Sequence, residues 1–407
     1  MLYKMSLIDS FLTTINVKRV ISHLFVILVI LLLGIYLISS SQTRDDYLIY
    51  TYFADVAAHG YNPYAVPDTF RSEVIKPYRY SVQKSPGYVP QYYADYPALQ
   101  MMVNYIIYTL LGFWGLGYVY ILLFLIGLWL YTRYVSMKNG HSPDLRKVPV
   151  LFIAFMVYPP VFLHHWFDTY TDKVIFMVFI LLLLVFRKQP LVFTLIVALF
   201  TAMKGAGLPI FVLFMVNLWI KEKNFKKVLF LTTIFIILAT LSHLPWYPHN
   251  LQAYKWRALR QTWVGHASIF LILHKLGYYP KIAPLLCMAL GYLFLLILIM
   301  RKSLHTNHMI LLGVVFSLMF GTEADINRIL VVVFALLLFV DNYWLWLLNF
   351  IIGYFVGDTT QLVHSDEFGK QILGWSIIWG WVGLLLINAV VHVFRDIGSK
   401  HNWVEKV

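Results

Sequence analysis

Apolar residues run along this chain in long blocks, separated by short basic or polar gaps. A helix that crosses a bilayer needs about 20 apolar residues. The first such block covers residues 20–40, and a long polar and aromatic stretch follows at 41–95. The next apolar block, 96–134, is too long for one crossing and carries Gly112, Gly115 and Gly117. Splitting it there gives a short Tyr-rich helix at 96–111, predicted to lie in the interface, and a crossing at 113–134. The split also places Arg133, Lys138, Arg146 and Lys147 on the same side as Lys4, Lys18 and Arg19, as the positive-inside rule requires.

Further crossings are predicted at 148–163, 173–186, 191–203, 208–220, 228–244, 282–300, 309–321, 326–340, 343–356 and 372–393. The outer connections are 164–172, a Lys204-Gly205-Ala206-Gly207 turn, a second long segment at 245–280, and a loop at 357–371. That makes about twelve crossings with both termini cytoplasmic. The expected fold is an all-α polytopic membrane protein forming one domain over residues 1–407, with interfacial helix in the first outer loop. No internal repeat or separate soluble domain is visible.

Composition supports this reading. Of 407 residues, 60% are hydrophobic and only 13% charged, about half the charged share of a soluble domain. The net charge of +13 raises nucleic acid as a partner. The cations are spread in short clusters between apolar blocks, however, so the expected partner is the lipid bilayer and not nucleic acid. A single cysteine, Cys287, excludes an intrachain disulfide or a cysteine metal site. The first apolar block lacks a small-residue cleavage pattern and is expected to be a retained anchor. With no organelle signal, a prokaryotic plasma membrane is the expected location.

Chemistry concentrates in the first outer loop. Residues 43–59 contain no Gly or Pro, and Gly60 suits a helix C-terminus. Asp46, Tyr50, Phe53 and Ala57 share a face at helical spacing, and Tyr61-Asn62-Pro63-Tyr64 reads as a rigid turn. Thr43 and Asp46 fit a capping box, and acids favour a helix N-terminus, so a purely structural role accounts for the twin aspartates. Tyrosines commonly form an interfacial belt. The functional alternative is that Asp45 or Asp46 takes a proton from an acceptor hydroxyl at headgroup depth, with tyrosine faces holding a sugar.

Asp45-Asp46-Tyr47, the run from Tyr50 to Ala58, Gly60-Tyr61-Asn62-Pro63-Tyr64 and the later Tyr96-Pro97-Ala98-Leu99 resemble the first outer loop of the GT-C glycosyltransferases. The nearest likeness is to the polyprenyl-phosphate-mannose-dependent mannosyltransferases, including the phosphatidylinositol-mannoside enzymes and the first glycosylphosphatidylinositol mannosyltransferase. The resemblance implies a GT-C-like bundle and an inverting transfer of a sugar, mannose by likeness, from a polyprenyl-phosphate donor. The acceptor would be a lipid, a glycan or a protein. It implies an acidic catalytic motif at Asp45 and Asp46, with Asp46 preferred because it directly precedes Tyr47. Tyr50, Tyr64 and Tyr96 would line the substrate. One departure is Tyr-Pro-Ala-Leu where many members have Tyr-Pro-Pro-Leu.

Other constellations carry two readings each. Lys204 beside a glycine turn is a snorkelling anchor or a cation for a lipid phosphate; the superfamily's Lys-Gly or Lys-Pro turn favours the second. His164-His165-Trp166-Phe167-Asp168 and Asp172 form a polar rim, since adjacent histidines are poor metal-ligand spacing; the resemblance implies a second acid there, at Asp168 or Asp172. Residues 246–274 suit an interfacial amphipathic helix in which Arg257 and Arg260 share a face, or a clamp on the donor phosphate. Arg328, near Glu323 and Asp325, pairs locally or binds phosphate. No cofactor and no metal site is expected, although Asp45 and Asp46 leave a divalent cation open. A transporter or flippase of lipid-linked sugars is the competing class. Its ionisable residues would lie at the midplane, often in related halves, whereas here the acids cluster at outer loops.

Overall fold

The fold is given by a computed structural model that describes residues 28, 45–67, 70, 97–138, 166–251, 268–278, 282–301, 304–320, 326–339, 348, 362–363 and 365–398. At 45–49, 121, 125, 128, 132–138, 166–173, 326–327 and 396–398 the backbone alone is described. Among these residues every regular element is helical. In chain order they are α1 (Asp45–Ala58), α2 (Ala98–Leu111), α3 (Gly115–Lys138), α4 (Trp166–Val185), α5 (Pro190–Lys204), α6 (Gly207–Glu222), α7 (Phe225–Leu241), α8 (Leu271–Lys275), α9 (Ala283–Met300), α10 (Thr306–Met319), α11 (Ile326–Leu337) and α12 (Phe368–Gly398). The crossings predicted at 20–40, 148–163 and 343–356 lie outside the described residues, apart from Leu28 and Leu348.

Local sequence explains where the helices begin and stop. Pro190 opens α5, where its missing N–H costs nothing. Gly205 closes α5 in the left-handed conformation, φ 71°, with its N–H donated to the Thr201 carbonyl at 2.7 Å. The Asn224 side chain caps α7 by accepting from the Lys227 N–H at 3.1 Å. Between Trp166 and Lys173 there is no helix breaker, and the chain is helical from Trp166 onward. The predicted outer loop at 164–172 is therefore corrected over its described part: Asp168 and Asp172 stand in the first turns of α4.

α4 occupies the centre and touches α1, α3, α5, α10 and α11. α11 is buried at every position from Ile329 to Leu337, and α10 nearly so. Stacked rings tie the α5–α6–α7 layer together, with Phe193 on Phe214 at 3.9 Å and Phe211 on Phe235 at 3.8 Å between centroids. α9 closes on α10, where the Tyr292 hydroxyl donates to the Gly313 carbonyl at 2.9 Å and meets the Ser317 hydroxyl.

Among the described residues two helices, α9 and α12 over Phe368–Arg395, are long and apolar enough to cross a membrane. α2 and α3 would make a third span only if counted together, and they bend by 114° at their junction. α5, α10 and the apolar parts of α4 and α11 are shorter. At 1.5 Å per residue, 15 residues reach about 22 Å, short of a ~30 Å hydrocarbon layer. Among the described residues the fold is thus all-helical with a few helices of spanning length, a coarser result than twelve full crossings. The outer faces of α7 and α9 expose Leu229, Phe230, Ile236, Leu286, Leu290 and Leu293, which suits contact with acyl chains.

Candidate functional site

α1 is held by packing on nearly all sides. Tyr50, Thr51, Phe53, Ala54, Asp55 and Val56 are buried, and the helix lies against α2 and α4. It ends as the sequence predicts. Gly60 takes φ 80°, its N–H donates to the Ala57 carbonyl at 3.0 Å, and the Tyr61 N–H reaches back to the Val56 carbonyl at 3.1 Å. This is a Schellman stop, and it needs a residue tolerant of positive φ. The rigid turn follows, with the Asn62 side chain accepting from the Tyr64 N–H at 2.9 Å.

Beyond the turn the chain builds a small second core from Phe53, Val56, Tyr64, Val66, Phe70 and Met101, with Tyr52 and Trp246 packed on it. Tyr64 and Trp246 are 6.0 Å apart between ring centroids. The segment after α1 therefore meets the chain that follows α7. Tyr50 and Tyr64, two of the residues expected to line the substrate, are each 1% exposed.

Asp55 is the residue that sequence reasoning passed over. Its side chain is 3% exposed. The Tyr108 hydroxyl, from α2, donates to Asp55 Oδ1 at 2.8 Å. His59 Nδ1 lies 2.9 Å from the Asp55 backbone carbonyl and 3.4 Å from its carboxylate. Burial first, then the bond to Asp55 and its charge, hold the Tyr108 hydroxyl protonated well above the ordinary tyrosine range. The signal was present: a lone acid inside an apolar helix, followed four residues later by a histidine. What could not be read was Tyr108, 53 positions away.

The other expected site residues fall as follows. By helical register Asp46 lies on the line of Tyr50 and Phe53, one turn nearer the start of α1. The side chains of Asp45, Asp46, Asp168 and Asp172 lie outside the described residues, although α1 and α4, which carry them, touch. Lys204 is half-buried in the last turn of α5, at the glycine turn the sequence predicts. Arg328 is half-buried in the first turn of α11, on another element that touches α4. Arg257, Arg260 and Tyr96 lie outside the described residues. Among the described residues no cluster of three or more His, Cys, Asp or Glu side chains is placed to hold a metal.

Compared with family models, curated proteins and solved structures, the chain matches none.

Proposed function

We propose that this chain is an integral multi-pass membrane glycosyltransferase acting on the extracytoplasmic face. It moves a sugar, mannose by resemblance, from a polyprenyl-phosphate donor to an acceptor hydroxyl with inversion. The bond between the anomeric carbon and the phosphate oxygen breaks, and the polyprenyl phosphate leaves with the electron pair. The acceptor oxygen bonds the same carbon, and its proton passes to a carboxylate, Asp46 with Asp45 beside it. Lys204 and the arginines at 257, 260 and 328 offset the charge that grows on the departing phosphate.

The observation that carries this reading is the contact of Tyr64 with Trp246. It packs the chain that follows α1 against Trp246, a few positions before the stretch of sequence that holds Arg257 and Arg260, and so supports a reading in which base and cations act together. The close packing of α1 on α2 and α4 supports it further, because a general base acts only when its helix is held in place.

The test is glycosyl transfer by purified protein from a synthetic polyprenyl-phosphate mannose. Asp46→Asn is expected to lower turnover by about a hundredfold or more, the usual worth of a general base. An Asp46→Asn protein that transfers at the wild-type rate refutes the assignment. Wild-type protein that carries the lipid-linked sugar across vesicles without forming a glycoside is a transporter instead.

A further inference from the structure

In its neutral form the His59 ring has one tautomer set by its contacts. The Asp55 backbone carbonyl can only accept a hydrogen bond, so its 2.9 Å contact with Nδ1 requires that Nδ1 carry the proton. The Asp55 carboxylate, 3.4 Å from the same nitrogen, favours the same arrangement. Asp55 is itself pinned by the Tyr108 hydroxyl. Nε2 is left as a lone-pair acceptor, and among the described residues no group bonds it. The His59 side chain is 60% exposed.

A second ring stands beside it. Tyr61 is 45% exposed, and both His59 and Tyr61 meet Phe70 in T-shaped contacts, with centroids 5.6 and 5.5 Å away. Between them Gly60 has open space where a Cβ would be. The end of α1 thus offers an outward hydrogen-bond acceptor, an aromatic surface and room for a ligand, all fixed by packing beneath.

This chemistry suits a hydroxyl-rich ligand. A sugar hydroxyl donates to the outward Nε2 of the neutral ring while a C–H face of the same sugar lies on Tyr61. We propose that His59 and Tyr61 form a saccharide-binding rim for a glycan acceptor. The identity of the ligand as acceptor rests on the glycosyltransferase reading. Thirteen residues of helical rise separate His59 from Asp46, about 20 Å. The rim therefore holds an inner sugar of an extended acceptor while the terminal sugar reaches the aspartates, which selects a glycan over a protein or a simple lipid.

Full-length protein in lipid nanodiscs, titrated with linear mannotriose and with maltotriose, tests this. At least one of the two binds wild type, and His59→Ala and Tyr61→Ala each weaken it about fivefold, the loss of one hydrogen bond or one ring contact. Binding that His59→Ala leaves unchanged, or no binding of either sugar to wild type, overturns the proposal. Imidazole nitrogen shifts of His59 in the wild-type protein give a reading that needs no variant: the Nδ1–H form is expected, and the Nε2–H form overturns it. Failure here is separable from failure of the enzyme reading. Asp46→Asn with full transfer removes the base and leaves the titration as it was, whereas unchanged binding by His59→Ala in an active enzyme removes only the rim.

Discussion

Tyr108 and Asp55 form a polar bridge between two largely apolar helices, and each depends on the other. Removing the Tyr108 hydroxyl leaves a carboxylate at 3% exposure with one donor fewer. Tyr108→Phe is expected to destabilise the protein by about 1–3 kcal/mol, the cost of stranding a buried charged acceptor, as measured by unfolding in detergent. The pH dependence has a definite sign. The folded chain holds the Tyr108 proton beyond the ordinary tyrosine value of 10.0, so above that value the folded state binds more protons than the unfolded one. The bridge's contribution is whole below pH 10.0 and falls as pH rises towards the native value. Alkaline unfolding that is equally steep in wild type and Tyr108→Phe would refute this. At this scale the sequence was legible where a residue's meaning is local: Gly60 as a stop and Asn62 as a turn former. It was not legible where meaning comes from a distant partner. Nothing near Tyr64 in the sequence says that Met101 and Trp246 will pack into the same small core.

The helix hairpins show how far local chemistry sets the elements. The α5–α6 turn was foreseen as a glycine turn, and its two glycines do different work. Gly205 supplies positive φ with open space around it, so alanine there costs about 1 kcal/mol of backbone strain. Gly207 supplies closeness: a Cβ would stand 2.7 Å from the Val197 carbonyl and 2.5 Å from the Thr201 hydroxyl. Gly207→Ala is therefore expected to destabilise more than Gly205→Ala, by about 1–3 kcal/mol in the range of overpacking. Thermal unfolding of the two variants checks the order, and equal losses would remove the close-approach argument. The first turns of α4 were misread as a loop because charges and histidines suggest a surface. Acids at a helix start are favourable in themselves, and no breaker intervenes.

Across the molecule, apolar blocks fixed the helical class but not how many helices span. A helix enclosed by protein, such as α11, and a helix with a broad exposed apolar face, such as α9, carry the same kind of unbroken apolar sequence, as they would if the second faced lipid, because both environments exclude water. Length separates them only in part, and burial separates them only once the partners are assembled. The proposed orientation is testable at this scale. In a Cys287→Ser background, Lys223→Cys, beyond the end of α6, is expected to react with an impermeant maleimide from the cytoplasmic side. Lys275→Cys, at the end of α8, is expected to react from the opposite side. Both residues are exposed. Labelling of both from one side would overturn the topology and with it the outward placement of the twin aspartates.

The Tyr64–Trp246 contact also sets an order on biosynthesis. The ribosome completes the acid-bearing arm some 180 residues before it makes the ring that closes over it. Until that indole emerges, the arm's small core waits with one wall missing, so it is finished by the second half of the chain and never by the first alone.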